Sequence, residues 1–513
     1  MMERWNCMTD EEKREILRLG ECRRKLEENP LHPAYHFTAP DGALNDPNGL
    51  CFWQGKWHMF YQNNRGQGQC WGHAVSDDLC RWRDLPLALT PEKEQECWSG
   101  MVMIEEDRAI ATYYGLNYGI MIAVSTDPDL LRWEKLNGGE PVIPKVRPEE
   151  KATRPYSVYD SCIWRKDDRY CIVSGTYRVN PHSGTRERQE FLFESTDLIH
   201  WEYKGVFLEN DLFAVPDDDG ACPYFVPCGN RYLFVHFSHH SGPKILVGDY
   251  DRERDKFVIS NGVSLTSSSS FFGGLLAPSA YPAGDGSVRL IHNIHHNAVP
   301  GTDYQCMSLP RRVTLTGEQE NDPAIAPAPE LDSLRVGSPV TLENITLKAD
   351  RPFTQAELSG DTLELNAVFE AKNVPAIEWK LLMSEDGEHY TAIRVYRQRG
   401  NTFLNAFRPG FRYRDAHETV IQMDMTHSSK DALVRIPDTQ CFWLAPEEEL
   451  RMRIYIDRSV AEVFVNGRVA LSARISPDAG DNKKISLTSA GDDLVLRRLE
   501  VYPMGNAFST DET

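Results

Sequence analysis

Ala74-Val75-Ser76-Asp77-Asp78-Leu79, leading to Trp82, recurs as Ala123-Val124-Ser125-Thr126-Asp127, leading to Trp133, and again as Phe193-Glu194-Ser195-Thr196-Asp197-Leu198, leading to Trp201. Each copy reads as a strand that ends in Ser, a turn built on Asp, and a Trp that opens the next strand. The copies are roughly 50–70 residues apart, a period that suits propeller blades of about four strands each. A degraded fourth copy, Val247-Gly248-Asp249-Tyr250-Asp251, leads to Phe257. Three unrelated hairpins would have no reason to repeat Ser, Asp and Trp together.

The texture around these copies agrees. From about residue 35, short runs rich in Val, Ile, Tyr, Phe and Trp, such as Lys56–Gln62, Gly119–Ser125, Arg169–Thr176, Arg231–Ser238 and Ser287–His292, alternate with Gly, Asp, Asn and Pro clusters. That spacing predicts an all-β chain of many antiparallel strands and few helices. One helix is predicted over 9–28, where Thr9 and Glu12 have capping-box spacing and Ile16, Leu19 and Leu26 fall along one face. Around 317–345, Pro323, Pro327, Pro329 and several acids read as a linker. Beyond it, Leu450–Asn466 alternates cleanly around a turn at Asp457-Arg458-Ser459, which predicts a hairpin of a sandwich-like second domain. The expected division is a helical appendage over 1–30, a propeller over 31–325 and a β-sandwich over 338–505.

Composition narrows the partners. A chain of 513 residues is too long for one core and suits two domains. Its net charge of −20 repels nucleic acid and anionic membranes, so neither is expected as a partner, and a neutral small-molecule carbohydrate is compatible. The twelve cysteines form no CxxC pair, and many sit in apolar runs, as reduced buried thiols do. The first thirty residues carry Asp10, Glu11, Glu12, Lys13 and Arg14 in place of an apolar signal core, and no run reaches the eighteen apolar residues of a spanning helix. The expectation is a cytoplasmic protein. Nothing in the sequence assigns an oligomeric state.

Propeller strands converge on a central channel, where carboxylates from distant segments can meet. Glycosidic bond cleavage needs such a meeting: one carboxyl attacks or activates water while another donates a proton to the leaving oxygen. Leu44-Asn45-Asp46-Pro47-Asn48-Gly49-Leu50 puts an Asp at a strand mouth, although alone it reads as an ordinary turn. It is followed in order by Tyr61-Gln62-Asn63, Trp71-Gly72-His73-Ala74, Trp98-Ser99-Gly100, Leu309-Pro310-Arg311, Leu334-Arg335 and Tyr455-Ile456-Asp457-Arg458-Ser459-Val460-Ala461-Glu462-Val463-Phe464. Over roughly residues 34–502 this set closely resembles glycoside hydrolase family 32, the invertases, inulinases, levanases and sucrose-6-phosphate hydrolases. The resemblance implies a five-bladed propeller with a funnel-shaped site followed by a β-sandwich. It implies that Asp46 is a nucleophile forming a fructosyl-enzyme ester. Asn45, Gln62, Trp71 and Ser99 then fall where the family contacts the fructosyl unit.

Two motifs depart from that pattern. The family's transition-state-stabilising carboxylate lies in Arg-Asp-Pro; here Tyr159-Asp160-Ser161 keeps Asp160 but loses the guanidinium that would hold neighbouring carboxyl pKa values down, which makes Tyr159 a substrate-facing position of altered chemistry. The family places a Glu before Cys-Pro as general acid/base; here Ala221 precedes Cys222-Pro223. Asp219, two residues earlier and on the same face of an extended strand, is the first replacement candidate, and Asp218 the second. The alternative is a sugar-binding protein on an impaired hydrolase scaffold, or a hydrolase of another furanoside such as an arabinoside. His292, His295 and His296, like His236, His239 and His240, lack a zinc-ligand spacing, so no metal is expected and the histidines are assigned to the sugar funnel or to blade interiors. No nucleotide or phosphate-loop fingerprint is present, and no cofactor is expected.

Overall fold

The computed structural model describes residues 5, 8–147, 150, 154–266, 274–296, 304–317, 319–397, 418–429, 438–475, 477 and 482–508. The helix Asp10–Leu26 is capped as its sequence predicts: the Thr9 side chain accepts from the Glu12 amide while the Glu12 carboxylate accepts from the Thr9 amide. It docks through buried Arg23, whose guanidinium grips both oxygens of Asp84 at 2.7 and 2.8 Å and lies 3.6 Å over the Phe508 ring.

Five antiparallel sheets follow in chain order. The first holds Ala43–Trp53, Lys56–Asn64, Gln69–Ser76 and Trp82–Leu89; the second is built on Cys97–Ile104, the third on Ser161–Lys166, the fourth on Ala221–Cys228 and the fifth on Leu275–Pro282. Within each, the main strands pair with their chain neighbours; the exceptions are short edge pieces, Leu208–Glu209, which pairs in parallel with Phe257 and Val258, and Ile143–Pro144, which pairs with Gly119–Ser125. The first strand of each sheet packs against the first strand of the next, and the fifth returns to the first, so five inner strands close a ring. Their apolar side chains, among them Leu50, Ile163, Phe225 and Ala280, share one buried cluster.

The repeated turns explain how each sheet changes direction. Ser76, Ser125 and Ser195 each accept from the amide of the Asp two residues on, and Asp78, Asp127 and Asp197 accept from later amides of their own turns. Each turn carries a buried leucine at positive φ: Leu79 at 63°, Leu130 at 53° and Leu198 at 67°. The fourth copy keeps the Asp: Asp251 accepts from the amides of Glu253 and Arg254 before the strand Lys256–Ser264.

Where the sequence suggests a linker, the chain is ordered into structure. Asp322–Pro327 is the outermost strand of the fifth sheet, Pro329–Leu334 is a 3-10 turn, and Val340–Leu347 is again a strand. The prolines mislead because an edge strand tolerates a missing amide, and Pro323 and Pro327 lie on that edge. Beyond it, a six-stranded sheet and a five-stranded sheet bury their facing side chains, including Leu365, Ile454 and Val463 with Trp379, Ile393 and Leu487, in a single core. Leu450–Asp457 and Val460–Val465 form the predicted hairpin in the larger sheet.

Candidate active site

The inner strands reach the site by breaking their own ladders. A β-bulge interrupts Ala43–Trp53 between Leu44 and Pro47, another interrupts Cys97–Ile104 between Cys97 and Gly100, and a third interrupts Ala221–Cys228 between Ala221 and Tyr224. Asp46, Ser99 and Cys222 stand in those interruptions. A bulge inserts an unpaired residue and turns its side chain out of the regular alternation, and here all three turn toward one cavity of about 440 Å³. Gly49 stands in a second irregularity of the same strand, between Asn48 and Cys51: its φ is 51°, and a Cβ there would sit 2.5 Å from a Val102 methyl.

Asp46 accepts a 2.6 Å hydrogen bond from Ser99, which accepts one of 2.6 Å from the Gln62 amide, which in turn accepts from Asn45 at 2.9 Å. Asn45 is itself fixed by Gln305 at 2.9 Å and Asn293 at 3.3 Å. Asp160, just before the third inner strand, accepts from the Cys222 amide at 3.0 Å. The Cys222 thiol lies 3.5 Å from Asp46 Oδ2 and 3.4 Å from Asp160 Oδ2, so these oxygens are no more than about 7 Å apart. Both carboxyls are pushed up by burial. Asp160, which also feels the Asp46 charge and has no guanidinium beside it, reaches about 6.

Tyr159 lines the same cavity with Trp98 and Tyr177, its ring tilted 5.3 Å from that of Tyr114. Ala221 also faces the cavity and offers only a methyl group. Asp219 lines the rim, where it accepts from the His239 amide at 3.0 Å and lies 2.8 Å from His239 Nδ1. Of the sequence-predicted residues, Asn45, Asp46, Gln62, Ser99, Tyr159, Asp160 and Asp219 therefore share one chamber.

Two do not. Trp71 is completely buried in the core and absent from the cavity wall; its indole N–H donates at 2.8 Å to the Trp98 carbonyl, and Trp98 is the indole that meets the cavity. Asp218, in the turn segment that precedes the strand Ala221–Cys228, points away from the cavity. It is buried against Lys244 at 2.5 Å and accepts from Ser238 at 2.7 Å and Ser241 at 2.5 Å. Burial raises its pKa, but these partners outweigh burial and bring it to about 2. A carboxylate held ionised in this way cannot carry a proton to a substrate.

Sequence reading missed a buried carboxyl. Glu190 is fully buried behind Gly175 and Gly220, both of which line the cavity; a Cβ on Gly220 would meet its Oε1 at 1.9 Å. Neither of its oxygens has a hydrogen-bond partner, and burial, reinforced by Asp211, Asp219 and Asp160, keeps it well above the usual carboxyl range. His239 faces the cavity itself. The other histidines are structural: His292 is buried with Nδ1 3.0 Å from the Leu276 carbonyl, and His236 is buried beside Arg188. Among the described residues, no group of three or more His, Cys, Asp or Glu side chains is arranged to hold a metal ion.

A chamber of carboxylates suits acid–base and nucleophilic work on a sugar, and comparison with known proteins agrees. The chain is 25% identical to a levanase of Bacillus subtilis over 93% of its own length and 71% of the relative's. It is 27% identical to a raffinose invertase of Escherichia coli over 91% of itself and 94% of that protein. The crystal structure of fructan 1-exohydrolase IIa from Cichorium intybus superposes with a TM-score of 0.76 at 21% identity, covering 93% of this chain and 98% of that one. The model of the glycosyl hydrolases family 32 N-terminal domain matches residues 36–322 and that of the family's C-terminal domain matches 330–503, so this chain belongs to glycosyl hydrolase family 32 and is a glycosidase.

Proposed function

We propose that the protein is a retaining hydrolase of terminal β-fructofuranosides such as sucrose or short fructans. The observation that carries this reading is the convergence of Asp46 and Asp160 on one Cys222 thiol at the floor of a sugar-sized cavity. Asp46 attacks the anomeric carbon, and the bond to the leaving oxygen breaks as that oxygen takes a proton. A fructosyl ester remains on Asp46. Water then attacks the ester, gives up a proton and releases fructose, restoring the Asp46 carboxylate. Asp160 stabilises the positive charge that develops on the ring, and Ser99 and Gln62 hold Asp46 in place.

In the same reading the five sheets are blades of a propeller over 31–325, closed by their inner strands, and the two later sheets are a β-sandwich over 338–505. Cys51, Cys162, Cys171 and Cys306 are free buried thiols, which supports a place in the reducing cytoplasm. Asp46, Glu96, Asp160 and Asp219 line the cavity, and no Lys or Arg does so among the described residues. This wall favours an unphosphorylated leaving sugar.

The decisive assay follows fructose release from sucrose, 1-kestose and sucrose-6-phosphate. The expected result is turnover of the neutral sugars ahead of the phosphorylated one, a fructosyl increment on the Asp46 peptide after acid quenching, and no turnover by Asp46→Asn. A second reading, a sugar receptor, is favoured by Ala221 alone. It prevails if the wild type binds these sugars in calorimetry and releases no fructose.

A further inference from the structure

The strand that opens at Ala221 pairs with Arg231–Ser238, and Ala221 lies opposite Phe237. Just beyond the ends of both strands, Asp219 and His239 meet through the His239 amide and the Asp219 carboxylate. Asp219, Ala221, Phe237 and His239 all line the cavity, so the small residue at 221 leaves the adjoining space to a paired carboxylate and imidazole. Asp219 is fully engaged in holding that ring: one oxygen takes the His239 amide at 3.0 Å and the other faces Nδ1 at 2.8 Å. A carboxylate so occupied orients and charges an imidazole, as one does wherever a histidine moves protons in catalysis.

We propose that His239 is the general acid/base of this glycosidase and that Asp219 is its positioning residue. The assignment rests on the retaining reading above. In the first step the His239 ring gives the proton on Nε2 to the departing glycosidic oxygen while the Asp46 oxygen bonds to the anomeric carbon. In the second, the neutral ring takes a proton from the attacking water as the ester opens, and the imidazolium is restored. The local charges agree with that cycle. The hydrogen bond to Asp219 raises His239 above its ordinary value, and the charges of Asp219, Asp160 and Asp46 add to it against the opposing effect of burial. The shift is in the direction that favours the protonated ring, the form that must give the proton. Glu190 is the rival carboxyl, but the Gly175 and Gly220 backbone stands between it and the cavity.

The test compares two substrates on the full-length chain. Sucrose needs a protonated leaving group; β-D-fructofuranosyl fluoride needs none. His239→Gln is expected to lose about 10²–10⁴ in kcat/KM on sucrose and no more than about tenfold on the fluoride. Adding Ala221→Glu to that variant is expected to restore part of the sucrose rate. Asp219→Asn is expected to lose less and to move the alkaline limb of the sucrose profile to lower pH, a change that simple loosening of the loop would not produce. Glu190→Gln is expected to treat both substrates like the wild type. The proposal is overturned if His239→Gln matches the wild type on sucrose, if it loses both substrates equally, or if the substrate-selective loss appears in Glu190→Gln instead. Asp46→Asn separates the two layers: activity retained in that variant sinks the retaining reading itself, whatever His239 does.

Discussion

At the residue scale, the site is two carboxyls converging on one thiol. Asp160 stands at about 6 because burial and the Asp46 charge both penalise its ionisation. Tyr159→Arg would return a guanidinium to the cavity wall and lower both carboxyls, by about 1–3 pH units for a close pair. The expected outcome is an acid limb of kcat/KM displaced to lower pH. A stability effect follows from the same shift. Between about 3.8 and 6 the folded state keeps the Asp160 proton and the unfolded chain gives it up, so folding weakens as pH climbs through that window and stays weakened above it. Removing the charge recovers on the order of 3 kcal/mol. Asp160→Asn should therefore melt higher than the wild type at pH 7, match it near pH 3.5, and hydrolyse little.

Asp46 and Asp160 were legible in the sequence because motif order fixes them; Glu96 and Glu190, which stand in no motif, were not. Trp71 was not, since its motif position says nothing about which of two nearby indoles meets solvent; burial gives that place to Trp98. Asp218 and Asp219 were not separable, because both lie in the irregular segment before Ala221; the structure turns Asp218 to Lys244 and Asp219 to the cavity.

At the scale of elements, bulges do the aiming. Cys228 pairs with Arg231, and that register followed straight back would set Ala221 opposite Ser238 and Asp219 opposite His240. The irregularity between Ala221 and Tyr224 moves the pairing by one, so Phe237 meets Ala221 and His239 meets Asp219. No periodicity in the sequence announces a one-residue slip, which is why the role of His239 could not be read from spacing. The repeated turns were legible because their Ser, Asp and Trp act locally. Asp78 accepts from the Cys80 amide at 3.0 Å and the Arg81 amide at 2.7 Å, and also from Ser333 at 3.0 Å. Asp78→Ala should cost about 1–3 kcal/mol by chemical denaturation, because two amides lose their acceptor, and Asp78→Asn should cost less.

At the scale of the molecule, a buried charge network joins the earliest strand-bearing region to the last sheets. His36 places Nδ1 2.8 Å from Asp457 and Nε2 3.1 Å from Glu462; Glu462 also accepts from the Leu309 amide at 2.5 Å and from Arg311 at 3.1 Å. Burial would lower the His36 pKa, but the two carboxylates outweigh burial and raise it. The histidine therefore contributes fully below its unfolded value of about 6.5, and its contribution is lost as pH climbs through the raised one. Melting temperature should fall on the alkaline side. His36→Gln should cost about 3–5 kcal/mol at pH 6, with the gap to the wild type narrowing by pH 9. The prolines read as a linker lie on an edge strand and in the turn after it, because an edge tolerates a missing amide.

Asp457 also accepts the backbone amides of Ala34, Tyr35 and His36, across a separation of 423 residues for the first of them. A ribosome adding about 5–20 residues per second needs roughly 20–80 s to make that carboxylate after those amides have emerged. Through that interval the emerging chain carries three donors whose native acceptor does not yet exist. The final seating of residues 34–36 thus waits on the synthesis of Asp457.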